Sequence, residues 1–168
     1  LKEGLVIAAQ TNSIDSYDAL VSKDGLKLVE LPHGARIGTS SIRRKTQLSR
    51  YRDDFDIVDI RGNIEERLKR LDAGDLDAIV IAASGLMRLG LEKRIRERIP
   101  FEIIKPHPLQ GALAILTRSD STELIKLLSI LDARERGSFD LEAKILEKME
   151  GYFGSDTRRI RHAQQVLR

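Results

Sequence analysis

Five arginines stand where the chain leaves an apolar run and enters a helix-like segment, and that placement is chemistry for anions. Arg43 and Arg44 follow the cap in "RIGTSSIRRKTQL", Arg61 and Arg67 flank the cap in "DIRGNIEERL", and Arg88 closes "AASGLMR". The start of a helix carries unpaired N–H groups and the positive pole of the macrodipole. A cation in that first turn costs roughly 0.3–1 kcal/mol unless a negative charge is bound beside it. Guanidinium stays charged and grips carboxylate or phosphate through paired N–H donors. Taken singly, each arginine reads as a surface residue or a partner for Glu65 or Glu66. Taken together they point to a ligand with several negative charges.

The remaining reactive side chains add no catalytic group. Ser40, Ser41 and Ser84 sit at helix starts, where serine is first a cap. No Ser-His-Asp or Ser-Lys grouping accompanies them, so none is expected to be a nucleophile. His33, His107 and His162 are scattered and cysteine is absent, which argues against a transition-metal site. Asp72, Asp75 and Asp77 lie in "DAGDLDA", which lacks calcium-loop spacing and reads as a turn. Asp59 and Glu65 are the chief carboxylates near the arginine-bearing turns, yet their spacing defines no acid/base pair.

Apolar runs alternate with segments of helical period, the pattern of an α/β fold with a mainly parallel sheet and helices on both faces. Strands are expected at 4–9, 35–40, 55–60, 76–83 and 111–117. A helix capped by Ser40 should run to about Arg52. Another should start at the Asn63 cap, with Glu66 at capping-box spacing and Ile64, Leu68 and Leu71 facing inward, and stop at Gly74. Ser84 opens a short helix, and "STELIKLLSIL" and "SFDLEAKILEKMEGY" supply C-terminal helices. The stretch "QTNSIDSYDALVSKDG" reads as a polar connection. The carboxyl ends of parallel strands share one edge, so the three arginine-bearing turns should converge on one crevice. The expected organisation is an α/β domain over 1–117, followed by a helical segment and basic tail over 118–168.

A chain of 168 residues with 41% hydrophobic and 33% charged content suits one ordinary soluble core. No apolar run of membrane-spanning length and no signal-peptide pattern is evident, so a cytoplasmic location without membrane contact is expected. The net charge of +3 is uneven: "TRRIRHAQQVLR" at the end holds four arginines and no acid, leaving 25 basic against 26 acidic residues elsewhere. That tail lacks interleaved aromatic residues, so nucleic acid is not the expected partner.

The runs "ARIGTSSIRRKTQL", "DIRGNIEERLKRLDAGDLDAIVIAASGLMRLGL" and "PLQGALAI", with the earlier "DALVSKDG", closely resemble the hydroxymethylbilane synthase family, also called porphobilinogen deaminases. The resemblance is strong over 1–117 and weaker over 118–153. It implies a transferase of tetrapyrrole (porphyrin, heme) biosynthesis that condenses four porphobilinogen molecules into linear hydroxymethylbilane. The product grows on a dipyrromethane cofactor attached to a cysteine. It also implies a three-domain fold, with two domains like periplasmic binding proteins; this chain resembles the second, with the crossover strands that flank it. The family's carboxylate-binding arginines fall on Arg43, Arg44, Arg61, Arg67 and Arg88, and Ser41 and Gln110 also line the cofactor site. The implied ligand is a small-molecule pyrrole carboxylate.

Some positions depart from the family pattern. Phe153, in "KMEGYFGSD", stands where the resemblance places the cofactor cysteine, and phenylalanine cannot form the thioether. Tyr17 replaces an arginine, and Pro108-Leu109 replaces the Val-Gly pair ahead of Gln110-Gly111. The segment with the catalytic aspartate would lie before Leu1, and most of the third domain is absent, so the chain alone is expected not to turn over. Three functions follow: the carboxylate-binding cleft of a hydroxymethylbilane synthase, a non-catalytic anion-binding module of the same ancestry, or, third, a solute-binding or regulator effector domain. The strands at 4–9 and 111–117 should either pair with each other or find a surface in a homodimer or in missing domains of the enzyme.

Overall fold

The computed structural model describes residues 2–134. In chain order its elements are β1 (Leu5–Gln10), β2 (Asp18–Ser22), β3 (Arg36–Gly38), α1 (Ile42–Tyr51), β4 (Asp56–Val58), α2 (Ile64–Asp72), β5 (Ala78–Ala82), α3 (Ala83–Arg88), β6 (Glu97–Ile99), β7 (Ala114–Arg118) and α4 (Thr122–Leu128). They fall into two compact units, Ser13–Gly111 and a second that joins Leu1–Asn12 to the chain from Ala112 on.

The Ser13–Gly111 unit is an α/β layer structure on a five-stranded sheet of order β4-β3-β5-β2-β6. Strands β4, β3 and β5 run parallel, as the apolar runs predict, whereas β2 is antiparallel to both β5 and β6. The chain steps from β3 out to β4 and then back past β3 to β5. With right-handed crossovers, that reversal sends the two connecting helices to opposite faces. The core confirms it. Leu48 of α1 packs with Leu20, Ile37, Val80 and Ile99 on one face, and Leu68 and Leu71 of α2 pack with Val21, Ile79, Ile81 and Leu86 on the other. Adjacent residues of β2 and β5 divide between the two clusters, as the two-residue period of a strand demands. A β-carbon on Gly38 would lie 2.8 Å from Leu76 Cδ1 and 2.9 Å from Ile60 Cδ1, so this strand end admits no side chain.

Both helices begin where the capping residues predict, with one shift. Ser41, rather than Ser40, caps α1 by accepting from the Arg44 N–H. Asn63 and Glu66 form the expected capping box on α2, each side chain accepting from the other's backbone N–H at 2.9 and 2.8 Å. Gly74, at φ +86°, follows the last turn. Strands β2 and β6 are unmarked in the sequence reading: "DALVS" is embedded in polar residues, and "ERI" is too short to show a period.

In the second unit β1 and β7 pair with each other, antiparallel, from Leu5↔Arg118 to Gln10↔Ala114. Asp132 is buried there and accepts from the Gln10 N–H at 3.0 Å. Its hydrogen bonds from Arg134 hold its carboxyl down at about 2, against the opposing effect of burial. Since the folded value lies below the unfolded one of about 3.9, this carboxylate stabilises the unit above that pH, and the contribution is lost as pH falls towards 2. The helix expected in "SFDLEAKILEKMEGY", the basic tail and Phe153 lie outside the described residues.

Ile79 is fully buried in the middle of the sheet. Ile79→Ala is expected to lower the unfolding free energy by about 2–5 kcal/mol, and Asn63→Ala by about 0.5–2 kcal/mol, in urea denaturation of the whole chain. A loss at Ile79 no larger than that at Asn63 would contradict the packing described.

Candidate functional site

The carboxyl ends of β3, β4 and β5 lead into the starts of α1, α2 and α3. Strand β2 runs the other way, so its first residue, Asp18, lies at this same edge, paired with Ala82, the last residue of β5. Its side chain is 0% exposed. A buried carboxylate needs partners, and the first turn of α1 provides two. Arg44 donates to Asp18 Oδ1 from Nε at 2.9 Å and from Nη2 at 2.6 Å. Arg43 brings Nη2 within 2.8 Å of Oδ2, an ion pair that does not complete a hydrogen bond. The Arg43 and Arg44 side chains are 20% and 11% exposed. Within this structure, then, the negative charge beside the two first-turn cations is the protein's own.

Gln110 completes the group. Its amide nitrogen donates to Asp18 Oδ1 at 3.0 Å and to the Ser16 carbonyl at 2.8 Å, while its amide oxygen accepts from Arg43 Nη2 at 3.0 Å. Arg43 Nη1 also donates to the Lys105 carbonyl, and Arg44 Nη1 reaches the Val80 carbonyl at 3.4 Å. Gly111 fixes the approach of Gln110. It has φ +88°, and a β-carbon there would collide with the Asp15 carbonyl oxygen and Ser13 Oγ. Burial pulls the Arg44 guanidinium below its ordinary pKa. Asp18 opposes that fall, and the charges of Arg43 and Arg67 add to it.

Arg67 is therefore close enough for its charge to act on Arg44. It donates from Nε to the Gly62 carbonyl at 2.9 Å. Gly62 has φ +104°, and a β-carbon there would strike the Glu66 carboxylate of the capping box. Arg88 is exposed and donates to the Gly111 carbonyl at 2.6 Å. Arg61 is exposed in the β4–α2 turn, with no hydrogen bond or ion pair to another described residue.

The structure thus gathers Arg43, Arg44 and Gln110 on one carboxylate, sets Arg67 within electrostatic reach, ties Arg88 to the residue after Gln110, and leaves Arg61 open to solvent. Ser41 is half-buried as the α1 cap. Ser40 donates to the Ile60 carbonyl, and Ser84 is buried within α3. Asp59, whose spacing in the sequence defines no acid/base pair, is exposed and paired with Lys45 at 2.6 Å. Asp18 is the residue that sequence reasoning missed. Its signal is an acid immediately before the apolar run Ala19-Leu20-Val21, a position that goes unremarked while the segment is read as a loop.

Comparison with known proteins adds a lineage. A family model described as "Porphobilinogen deaminase, dipyromethane cofactor binding domain" matches residues 1–126. Similar curated proteins include the porphobilinogen deaminase of Desulforamulus reducens, 45% identical over 152 residues, or 90% of this chain and 49% of that protein. The porphobilinogen deaminase of Brevibacillus brevis has the same identity and coverage. That of Corynebacterium glutamicum is 47% identical over 117 residues, covering 70% of this chain and 39% of the relative. The chain spans about half the length of the first two relatives. Among solved structures it is similar to a Salmonella typhimurium periplasmic binding protein, at 16% identity over 83% of this chain and 64% of that one, with a TM-score of 0.40. A mutant arginine-binding protein from T. maritima is 18% identical over 85% of this chain and 61% of that one, with the same TM-score of 0.40.

Removing one partner of a buried ion pair leaves the other charge uncompensated. Arg44→Gln is therefore expected to cost about 3–5 kcal/mol of stability, whereas Arg61→Gln, at an exposed position, should stay within about 0.5 kcal/mol. Urea denaturation measures both, and equal effects would contradict the buried network.

Proposed function

The chain belongs to the porphobilinogen deaminase family, and on that premise we propose that its Ser13–Gly111 unit supplies the carboxylate-binding site of a hydroxymethylbilane synthase. In this reading the acetate and propionate groups of a dipyrromethane and of the pyrroles added to it are held by Arg43, Arg44, Arg61, Arg67 and Arg88. Ser41 and Gln110 contribute polar contacts. The observation that carries the reading is the clustering of guanidiniums and helix starts at the carboxyl edge of the parallel strands, the part of an α/β sheet suited to ligands.

The residues fit a dipyrromethane by charge. Arg61 has no internal partner among the described residues, Arg67 and Arg88 spend single donors on backbone carbonyls, and each guanidinium carries five N–H groups. When bound, the cofactor supplies the primer to which porphobilinogen units add. The residues of this chain bind and orient: fixed guanidiniums neutralise the carboxylates and settle the register of a chain that must be held at several lengths. Arginine does not release protons at neutral pH, so these groups position the reactants and leave proton transfer to other residues.

One observation favours a second reading, a module of the same ancestry that binds the pyrrole carboxylates without covalent attachment. The chain has no cysteine, and Phe153 stands where the resemblance places the cofactor thiol. Intact-mass spectrometry of the natural gene product separates the two: an added mass of two pyrrole units supports the synthase, and an unadducted protein that binds the pyrroles reversibly supports the module.

Isothermal calorimetry tests the site itself. The whole chain should bind porphobilinogen at about 10 mM ionic strength and several-fold more weakly near 1 M, where the screening length falls from about 30 Å to about 3 Å. Arg67→Gln should weaken binding about tenfold, the effect of losing one charged hydrogen bond. No heat at low ionic strength, or an affinity indifferent to salt, would overturn the assignment.

A further inference from the structure

We propose that Asp18 is a positioning residue for ligand binding: its buried carboxylate sets the orientation of the Arg43 and Arg44 guanidiniums and of the Gln110 amide, and it does so without touching the ligand. This rests on the reading that the arginines bind carboxylates, and it adds a residue to which that reading gives no role.

The side chain of Asp18 is fully buried, so it offers nothing to a ligand directly. Every polar contact it makes goes to Arg43, Arg44 or Gln110, all of which the site requires. Two adjacent guanidiniums at one helix start repel each other and the positive helix end alike. Without an internal counter-charge, both would swing towards water. Asp18 reverses that preference and determines which donors remain. Arg44 engages Nε and one N–H of Nη2 on Asp18 and directs Nη1 at the Val80 carbonyl, so one N–H is left on each terminal nitrogen. Arg43 uses Nη1 on the Lys105 carbonyl and Nη2 on the Gln110 amide oxygen, which leaves its Nε–H free of those bonds. The three charges sum to +1, so the group still attracts an anion, and the guanidiniums are held before the anion arrives. Such pre-ordering spares the binding step the entropy of fixing two long side chains.

The test is a double-mutant cycle on the whole chain, with porphobilinogen as the probe and calorimetry as the readout. Asp18→Asn should weaken binding about tenfold in the native background and about tenfold in Arg61→Gln, yet by a clearly smaller factor in Arg43→Gln, because one of the guanidiniums that Asp18 orients is already gone there, whereas Asp18 does not act through Arg61. A merely structural role predicts the same loss in every background, and that result would overturn the proposal. If Asp18→Asn does not fold, the native chain decides. NMR of the arginine Nε–H groups should show Arg44 protected from solvent exchange, and still protected at saturating porphobilinogen; a freely exchanging or ligand-displaced Arg44 would overturn the proposal. Failure of the native chain to bind porphobilinogen overturns the functional reading and this inference with it. Binding accompanied by an additive cycle overturns the inference alone.

Discussion

A carboxylate sealed from water must be neutralised where it stands, and in this chain that requirement falls on Asp18. Moving the ion out of water costs several kcal/mol even after relaxation. The return comes from three hydrogen bonds to Oδ1, two from Arg44 and one from Gln110, and from the Arg43 ion pair at Oδ2. Asp18 and these partners come from three separate parts of the Ser13–Gly111 unit: an antiparallel strand, a helix start and the loop before Gly111. The interaction therefore ties the edge of the sheet together, and it can be satisfied only when β2, α1 and the 105–111 segment are all in place.

Topology makes this possible. Three parallel strands gather helix starts, and hence positive potential, at one edge of the sheet. A further parallel strand would have brought its own carboxyl end there. Because β2 is antiparallel, it brings its first residue, and that residue is an acid. The mixed sheet thus places a negative group among the cations of the site at a point from which solvent is excluded. Glycine makes room around it: Gly111 lets Gln110 reach Asp18, and Gly62 lets the α2 capping box close while its carbonyl takes Arg67.

Much of this was legible in the sequence, because the signals are local. The helix starts follow from Ser40, one residue ahead of the actual cap, and from Asn63 and Glu66; the parallel strands follow from apolar runs bounded by turn residues; and the arginine positions follow from those starts. What escaped was non-local. Strand β2 owes its place to pairing with β5 and β6 across the fold, and β6 is three residues long. Asp18 reads as one more polar residue until the pairing shows that it is buried. The two arginines of α1 read as ligand groups awaiting an anion, whereas the structure gives them one from within, at a separation of 26 residues for Arg44. Spacing along the chain could not reveal that pair.

The most direct measurement is a crystal structure of the whole chain with porphobilinogen bound. The account predicts ligand carboxylates on the arginines at the carboxyl edge of β3, β4 and β5, with Asp18 Oδ1 still within hydrogen-bond distance of Arg44 Nε. A ligand seated away from that edge, or a ligand carboxylate that has displaced Asp18 from between Arg43 and Arg44, would contradict it.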